Sequence, residues 1–273
     1  MKQYCVINMD IVGSRLVKDR EQLQINLNNH INYVNDKYRD TLAAPAAITL
    51  GDEWQLITGD LSQAYNLVHE FQQLLWKDNI ELYAGMGIGS LSTAVSEDVR
   101  QMDGPCFHSA RQAINTIKDT DKLKNKYTVS KQNKVFLLSE HIITSTIQFN
   151  FLDFYYSSKS KYSESVLQEV AAAAESNPAN TYKSVILDKL ILERTINLII
   201  ENNEILKSRM TKKQKDIYVS YFKIGSYRKV VDENLDESIS GISQKLNSAA
   251  YFTIQRNHQM VSALLNTYDS MGE

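Results

Sequence analysis

Cysteine, long apolar runs and net charge are all scarce in this chain. Two of its 273 residues are cysteine, which excludes a disulfide framework and a cysteine-rich metal site. No run approaches the roughly 20 apolar residues of a membrane span, and the first one stops at Asp10, too early for a signal sequence. The net charge of −2 excludes a uniformly basic coat for nucleic acid but allows a local basic patch. We expect a cytoplasmic protein without a membrane partner.

Two consecutive acids lie between two short apolar runs, residues 48–50 and 54–57. Gly51-Asp52 between β-favouring residues is typical of a hairpin turn. Two carboxylates in such a turn suit a cation, so Asp52 is a candidate metal ligand. The alternative is a turn acid that is simply exposed to solvent.

A second candidate ligand ends the first predicted strand. The apolar run 4–9 predicts a buried strand that leads to Asp10, and residues 19–38 have the periodicity of an amphipathic helix. A crossover helix returns the next strand parallel to the first, so their ends meet at one edge of the sheet. We therefore expect Asp10 and Asp52 to be neighbours.

The loop after Asp10 combines glycine with basic residues. Gly13 and Ser14 precede Arg15, Lys18 and Arg20, and a glycine loop at a helix start offers backbone N–H groups to an anion. The pattern lacks the spaced glycines and Lys-Ser/Thr of a Walker loop. An ordinary strand-to-helix turn with solvated basic residues is the alternative.

The order of the predicted elements up to residue 89 is βαββαβ. A helix at 61–76 follows the hairpin, and a strand at 80–89 carries Gly85, Gly87 and Gly89 on one face, which leaves room for close approach by a helix or a ligand. We expect a ferredoxin-like palm domain in an α+β protein. A helix at 108–118, a charged exposed loop from Lys118, and closing strands at 127–130 and 135–138 complete it.

The second half of the chain differs in composition. The 43% hydrophobic content and the length predict packed cores and two domains. A partly helical connector over 139–209 contains an aromatic cluster at 149–156 and a long apolar helix at 184–206, interpreted as a domain connector or a dimer helix. We therefore expect a homodimer.

Three short helices in 210–273 predict an all-α, helix-turn-helix-like domain. Thr211 is a candidate N-cap of the first, and the third begins near Ser238. Candidate DNA contacts are side chains that can reach phosphates or base edges, namely Lys212, Lys213, Lys215, Ser243, Gln244 and Lys245. The alternative is a three-helix bundle for protein contacts, because acids at 232–237 precede the last helix.

A series of short motifs runs through residues 1–138: Asp10-Ile-Val-Gly-Ser, Ile48-Thr-Leu-Gly-Asp-Glu, Gly85-Met-Gly-Ile-Gly, Met102-Asp-Gly-Pro, Phe107-His and Ala110-Arg111. Together they resemble class III nucleotidyl cyclases, with an echo of GGDEF-type diguanylate cyclases, and more closely the bacterial SatD family. The Lys-Gln and Ile-Ser-Gln-Lys-Leu segments within 210–268 resemble the tail of SatD proteins and, more loosely, the last region of sigma-type factors.

The cyclase resemblance implies roles for particular residues. Asp10 and Asp52 match metal ligands for Mg²⁺ or Mn²⁺, and Arg111 matches an arginine that stabilises the transferring phosphoryl group. The nucleotide-binding backbone implied by the likeness comprises Ile11, Val12, Gly13, Ser14 and Gly51. A solvated Arg111 is the alternative, since it lies off the apolar stripe of its helix.

Two departures from the cyclase pattern weigh against efficient cyclisation. Phe107 stands where cyclases carry an asparagine, and Ile48 stands where they carry a purine-selecting lysine. We expect a regulator in which a palm that binds metal and nucleotide is coupled to a DNA-binding domain. The alternatives are an active metal-dependent nucleotidyl cyclase or nucleotidyltransferase, and a scaffold whose two acids only stabilise the fold.

Overall fold

The structure, a computed structural model, describes residues 2–118, 130–140, 180–233 and 236–271. Its strands are β1 (Tyr4–Ile11), β2 (Leu42–Leu50), β3 (Glu53–Thr58), β4 (Leu82–Gly89) and β5 (Val135–Ser139). Its helices are α1 (Arg20–Lys37), α2 (Ala64–Trp76), α3 (Pro105–Lys118), α4 (Asn180–Ser208), α5 (Lys212–Ile224), α6 (Tyr227–Glu233), α7 (Ile239–Ser248) and α8 (Tyr251–Ser270). Single-turn 3₁₀ helices lie at Ser14–Leu16, Leu61–Gln63 and Val99–Gln101.

The five strands form one sheet in the order β2-β3-β1-β4-β5. Strand β1 is central and pairs antiparallel with both β3 and β4, while β5 adds to β4 in parallel through the crossover helix α3. The first four strands and their two helices have the order and directions of a ferredoxin-like palm. The predicted α+β class and βαββαβ arrangement are confirmed.

Helix α1 begins and ends close to the predicted limits. Asp19 caps it by accepting a hydrogen bond from the Gln22 backbone N–H at 2.9 Å, as short polar side chains do at helix starts. Its buried residues recur at helical spacing on one face: Leu23, Leu27, Ile31 and Val34. This face packs on the side of the sheet that also carries α2.

Helix α3 covers the opposite face of the sheet, and two glycines set its distance. A Cβ built on Gly87 would lie 2.1 Å from the Ala110 nitrogen, and one on Gly85 would lie 2.2 Å from the Ile114 nitrogen. The helix backbone therefore rests directly on β4. The expectation that these glycines admit a close neighbour is confirmed, and the neighbour is α3.

The long helix α4 packs on the palm. Ile196 and Ile200 are fully buried in the core of the sheet, together with apolar residues of α8. The Asn197 side chain also bonds the backbone of Leu137 in β5, donating to its carbonyl and accepting from its N–H at 2.9 Å each. Much of the apolar surface that suggested a connector or dimer helix is thus explained by packing within the chain.

Helices α5, α6 and α7 share a second core with the end of α2. Its fully buried members include Tyr218, Val230, Ile242 and Leu246, and Trp76 of the palm contributes to it. The predicted cap at Thr211 is present as a reciprocal capping box with Gln214. The last helix, α8, then returns to the palm and buries Val261, Leu265 and Tyr268 in the first core.

A buried polar network joins the two cores. The Lys207 ammonium donates to Glu204 at 2.9 Å and to Gln72 at 2.7 Å, and the Tyr65 hydroxyl donates to Glu204 at 3.0 Å. His69 continues the network to Tyr218 at 2.9 Å. The helical region is therefore tied to α2 by satisfied polar groups as well as by apolar packing, while the predicted boundary at 209/210 stays a prediction.

Some predictions concern residues that the structure does not describe. The aromatic cluster at 149–156 and residues 127–129 of the predicted strand lie outside the described residues. Ser130, the last residue of that strand, is described and is not in a strand. Among the described helices, none has both the length and the apolarity that crossing a membrane requires.

Candidate cation and phosphate site

Three carboxylates meet at the end of β1 on the α3 side of the sheet. The β1–β3 register places Asp10 opposite Glu53, and Asp52 follows Gly51 in the hairpin turn. Gly51 has φ of +59°, a left-handed conformation that favours glycine, and its carbonyl accepts from the Gln24 side chain at 2.8 Å. Helix α1 thus fixes the hairpin tip, and Asp10 and Asp52 are neighbours as expected.

Burial and charge act in opposite directions on these acids. Burial raises the pKa of Asp10 above its ordinary value, Lys118 partly counteracts this, and the nearby Asp52 carboxyl raises it again. Burial also acts to raise the pKa of Glu53, but Arg111 and Lys118 hold it below its ordinary value. An added cation at this cluster would therefore be favourable chiefly for Asp10, which is poorly compensated.

Lys118, the last residue of α3, lies between two of the acids. Its Nζ is 2.6 Å from Asp10 Oδ2 and 3.1 Å from Glu53 Oε1, and its side chain is 28% exposed. Burial acts to lower the pKa of Lys118, but the two carboxylates raise it above its ordinary value. The predicted helix end at Lys118 agrees with α3, but Lys118 is not an exposed loop residue, because α3 places it over the end of the sheet. The rest of the predicted charged loop, 119–126, lies outside the described residues.

The sequence did contain a signal for Lys118. It lies seven residues after Arg111, which is about two helical turns and hence the same side of α3. Arg111 lies off the apolar stripe as expected, is 50% exposed and donates to Glu53 Oε2 at 3.1 Å. Arg20 of α1 approaches Asp52 at 4.0 Å. Two basic residues at this spacing on α3 therefore share one acid.

The loop after β1 departs in part from the expected anion cradle. Ile11 belongs to β1, and the Val12 N–H donates to the Glu81 carbonyl at 2.9 Å, so this N–H is not offered to an anion. Gly13 is left-handed, with φ of +66°, and starts the 3₁₀ turn that contains Ser14. The anion cradle predicted for Ile11 to Ser14 is therefore reduced to the backbone from Gly13 onward, and this part stays a prediction.

The acids suit a cation without forming a complete set of ligands. Within the described ranges, no group of three or more histidine, cysteine, aspartate or glutamate side chains is arranged to hold a metal ion. Yet the Asp10 and Glu53 oxygens already enclose one cation, the Lys118 ammonium. Hard oxygen donors of this kind fit Mg²⁺ or Mn²⁺, which use few protein ligands and complete their shells with water and phosphate.

Three of the six candidate DNA contacts of the C-terminal helices are engaged with other side chains, namely Lys213, Lys215 and Lys245. Glu237 accepts from Lys213 at 2.7 Å and from Lys245 at 2.6 Å, so this acid is paired. Lys215 is wrong as a surface contact, because it is buried with its ammonium over the Trp76 ring. The exposed candidates are Lys212, Lys213 and Gln244, of which Lys213 is paired with Glu237, and Ser243 is partly exposed.

The strand order and the cluster at the end of β1 define an α+β protein with a ferredoxin-like palm. The model of the SatD family matches residues 4–171, which is more than half of the chain. The chain therefore belongs to the SatD family. None of the curated proteins compared with the chain matches it.

Two solved cyclase structures resemble part of the chain. One is the dimeric guanylyl cyclase domain of the RhoGC fusion protein from the aquatic fungus Blastocladiella emersonii, at 15% identity and a TM-score of 0.32 over 41% of this chain and 74% of that one. The other is the adenylyl cyclase CyaB from P. aeruginosa, at 18% identity and a TM-score of 0.30 over 41% of this chain and 71% of that one. Scores of this size support no conclusion about activity.

Proposed function

We propose that the chain is a cytoplasmic regulator whose palm binds Mg²⁺ or Mn²⁺ together with a nucleoside triphosphate or a related phosphorylated ligand. The observation that carries the proposal is the cluster at the end of β1. There Asp10 and Asp52 are neighbours, and Arg20, Arg111 and Lys118 approach the acids from two helices. Carboxylates for a divalent ion beside cations for phosphate are the two parts that such a ligand needs.

In this proposal each group has a separate task. Asp10 and Asp52 hold the divalent ion, which when bound neutralises phosphate charge and lowers the pKa of a coordinated hydroxyl. Arg111 stabilises charge on the phosphates. The backbone around Gly13, Ser14 and Gly51 positions the ligand against the hairpin, whose tip is held by α1.

Coupling to the rest of the chain is supported by the packing of α2 and α8. Ser262 of α8 donates to the Ser62 carbonyl at 2.8 Å, and Asn66 of α2 lies 3.2 Å from a ring nitrogen of His258. A shift of the palm helices on ligand binding would therefore change their contacts with the C-terminal helices, which we propose bind DNA. The ligand-free and ligand-bound states would then differ in these contacts, and this difference would couple the two sites.

The first experiment measures ligand binding and turnover together. Purified protein is titrated with each of four nucleoside triphosphates with and without Mg²⁺ or Mn²⁺, while bound nucleotide and released pyrophosphate are followed. We expect metal-dependent binding that is lost in Asp10→Asn and Asp52→Asn but kept in the control Asp36→Asn, whose exposed carboxylate lies on α1. A folded wild-type protein that binds none of the nucleotides would contradict the proposal.

The same titration separates regulator from enzyme. Binding without pyrophosphate release supports a sensor, as expected from Phe107 and Ile48 at positions where cyclases carry asparagine and lysine. Release that disappears in both aspartate variants would instead support the alternative, a metal-dependent nucleotidyl cyclase or nucleotidyltransferase.

DNA binding is the second part of the proposal, and its support is the exposed pair Lys212 and Gln244. Phosphate contacts release counterions, so retention on DNA should weaken as salt rises. Lys212→Ala should reduce both retention and its salt dependence, whereas Lys131→Ala in the exposed turn before β5 should not. Retention that is equal in the two variants would contradict this interface.

We also propose a homodimer. Ile191 and Leu198 on α4 remain 49% and 55% exposed, although most residues of this helix from 188 onward are buried or partly buried. The molar mass in solution tests this, and Leu198→Glu should shift it toward the monomer if α4 lies in the interface.

A further inference from the structure

We propose that Lys118 is an internal cation that occupies the divalent-cation position in the ligand-free protein and transfers to the phosphates of the ligand when the metal ion binds. This inference rests on the proposed function, and it assigns a ligand-binding role to a residue outside the motifs of the sequence.

The first step of the argument is position. The Lys118 Nζ contacts carboxylates from two different strands, Asp10 on β1 at 2.6 Å and Glu53 on β3 at 3.1 Å. Both contacts are salt bridges, and the contact with Asp10 is the shorter one. A divalent ion that uses Asp10 would face a full positive charge at the same oxygen, so the ammonium must leave before the metal can bind well.

The second step singles out Lys118 among the three nearby basic residues. Arg111 contacts Glu53 and leaves Asp10 to the lysine. Arg20 reaches Asp52 only at 4.0 Å and is largely exposed, which makes it a weak competitor. Of the three, Lys118 has the shortest contact with an acid and the least exposed side chain.

The third step concerns where the ammonium goes. Lys118 ends α3 and has a flexible four-carbon stem, so it can leave the acids without moving the helix. Arg111 lies two turns earlier on the same side of α3, and both side chains contact Glu53. Once the metal neutralises the acids, both cations are free to contact the phosphates of the ligand.

The ligand class follows from the charges. A chain of linked phosphates offers separate oxygens to a metal ion and to the two cations, Lys118 and Arg111, at once. Metal and polyphosphate should therefore bind cooperatively, and by linkage each should raise the affinity of the other by the same factor.

The test uses Mn²⁺ and tripolyphosphate with the full chain. Free Mn²⁺ is followed by electron paramagnetic resonance against matched solutions without protein, because tripolyphosphate itself chelates Mn²⁺, and heats are measured in parallel by calorimetry. The variant is Lys118→Met, with Lys118→Gln as a second uncharged variant. Lys134→Met is the matched control, because Lys134 is also partly buried and pairs with one acid, Glu81, at 3.1 Å.

We expect wild-type protein to bind Mn²⁺ weakly alone and about tenfold more tightly with tripolyphosphate, within the usual range of coupling. Lys118→Met should bind Mn²⁺ alone about tenfold more tightly than wild type and should lose most of the enhancement by tripolyphosphate. Lys118→Gln should behave in the same way, and Lys134→Met should match wild type.

Two other results overturn the inference in different ways. If Lys118→Met and Lys118→Gln, shown to be folded by circular dichroism, bind Mn²⁺ no better than wild type and keep the tripolyphosphate enhancement, Lys118 is only a structural ion pair and the metal site survives. If no protein binds Mn²⁺ with or without tripolyphosphate, the proposed function fails and this inference fails with it.

Discussion

Replacing Gly87 by alanine should separate α3 from the sheet. The added Cβ would lie 2.1 Å from the Ala110 nitrogen and 2.3 Å from the Cys106 carbonyl oxygen, both in the helix backbone, whereas ordinary contacts begin near 3.4 Å. The helix must therefore move out by about 1.3 Å, the difference between 3.4 and 2.1 Å. The clash is with backbone atoms, so side chains cannot relieve it. We expect the free energy of unfolding to fall by about 3 kcal/mol or slightly more, because a gap of this size also weakens the remaining contacts between α3 and the sheet.

The assay is urea unfolding of Gly87→Ala beside Gly59→Ala. At Gly59 a Cβ would meet the flexible end of the Lys2 side chain at 3.3 Å, so this control should change the free energy of unfolding by less than about 0.5 kcal/mol. Gly87→Ala should lower the midpoint at an unchanged m-value. Equal stability of the two variants would refute the close packing of α3 on β4.

Two further predictions concern buried charges. Lys207→Met leaves the buried Glu204 without its ammonium partner and should lower the free energy of unfolding by about 3–5 kcal/mol. The double variant with Glu204→Gln should regain part of this loss. If the losses of the two single variants simply add in the double variant, the two residues are not coupled. Burial raises the pKa of Glu193 to about 8. The folded state therefore keeps a proton that the unfolded state releases near pH 4.5, so this carboxyl favours folding most at low pH. Between about pH 4.5 and 8 its contribution to the free energy of unfolding falls by up to about 1.4 kcal/mol per pH unit. Glu193→Gln should flatten that part of the pH–stability curve measured by urea unfolding, and an unchanged slope would contradict the assignment.

The elements with strong local signals were predictable. Helix α1 has an N-cap at Asp19 and a regular apolar stripe, and the hairpin has a Gly-Asp turn, so local chemistry alone gives the type of both and the limits of α1. The start of β2 at Leu42, before Pro45, was not predictable in this way. The adjacency of Asp10 and Asp52 followed from the crossover helix, which makes β1 and β2 parallel so that their ends lie at the same edge of the sheet. Strand β3 lies between the parallel strands β1 and β2, and the ends of β1 and β2 remain at the same edge of the sheet.

What depends on distant contacts was harder to predict. Lys118 looked like the first residue of a charged loop, because nothing near it in sequence reveals that its partners lie on β1 and β3. The apolar faces of α4 indicated that the helix is buried, but not whether another part of the chain or a second copy covers it. Lys215 looked like a phosphate contact, and its burial against Trp76 depends on a contact between distant parts of the chain.

The return of α8 to the palm has a consequence for biosynthesis. The hydrogen bond between Ser62 and Ser262 spans 200 positions of the sequence. Synthesis must therefore reach Ser262 in α8 before this helix can cover α2. Until then Tyr65 and its neighbours remain open to water and to other nascent chains. Folding that waits for such remote contacts is slow, and we expect a fragment ending at residue 138 to aggregate during expression. The palm is first in sequence but among the last parts to be completed.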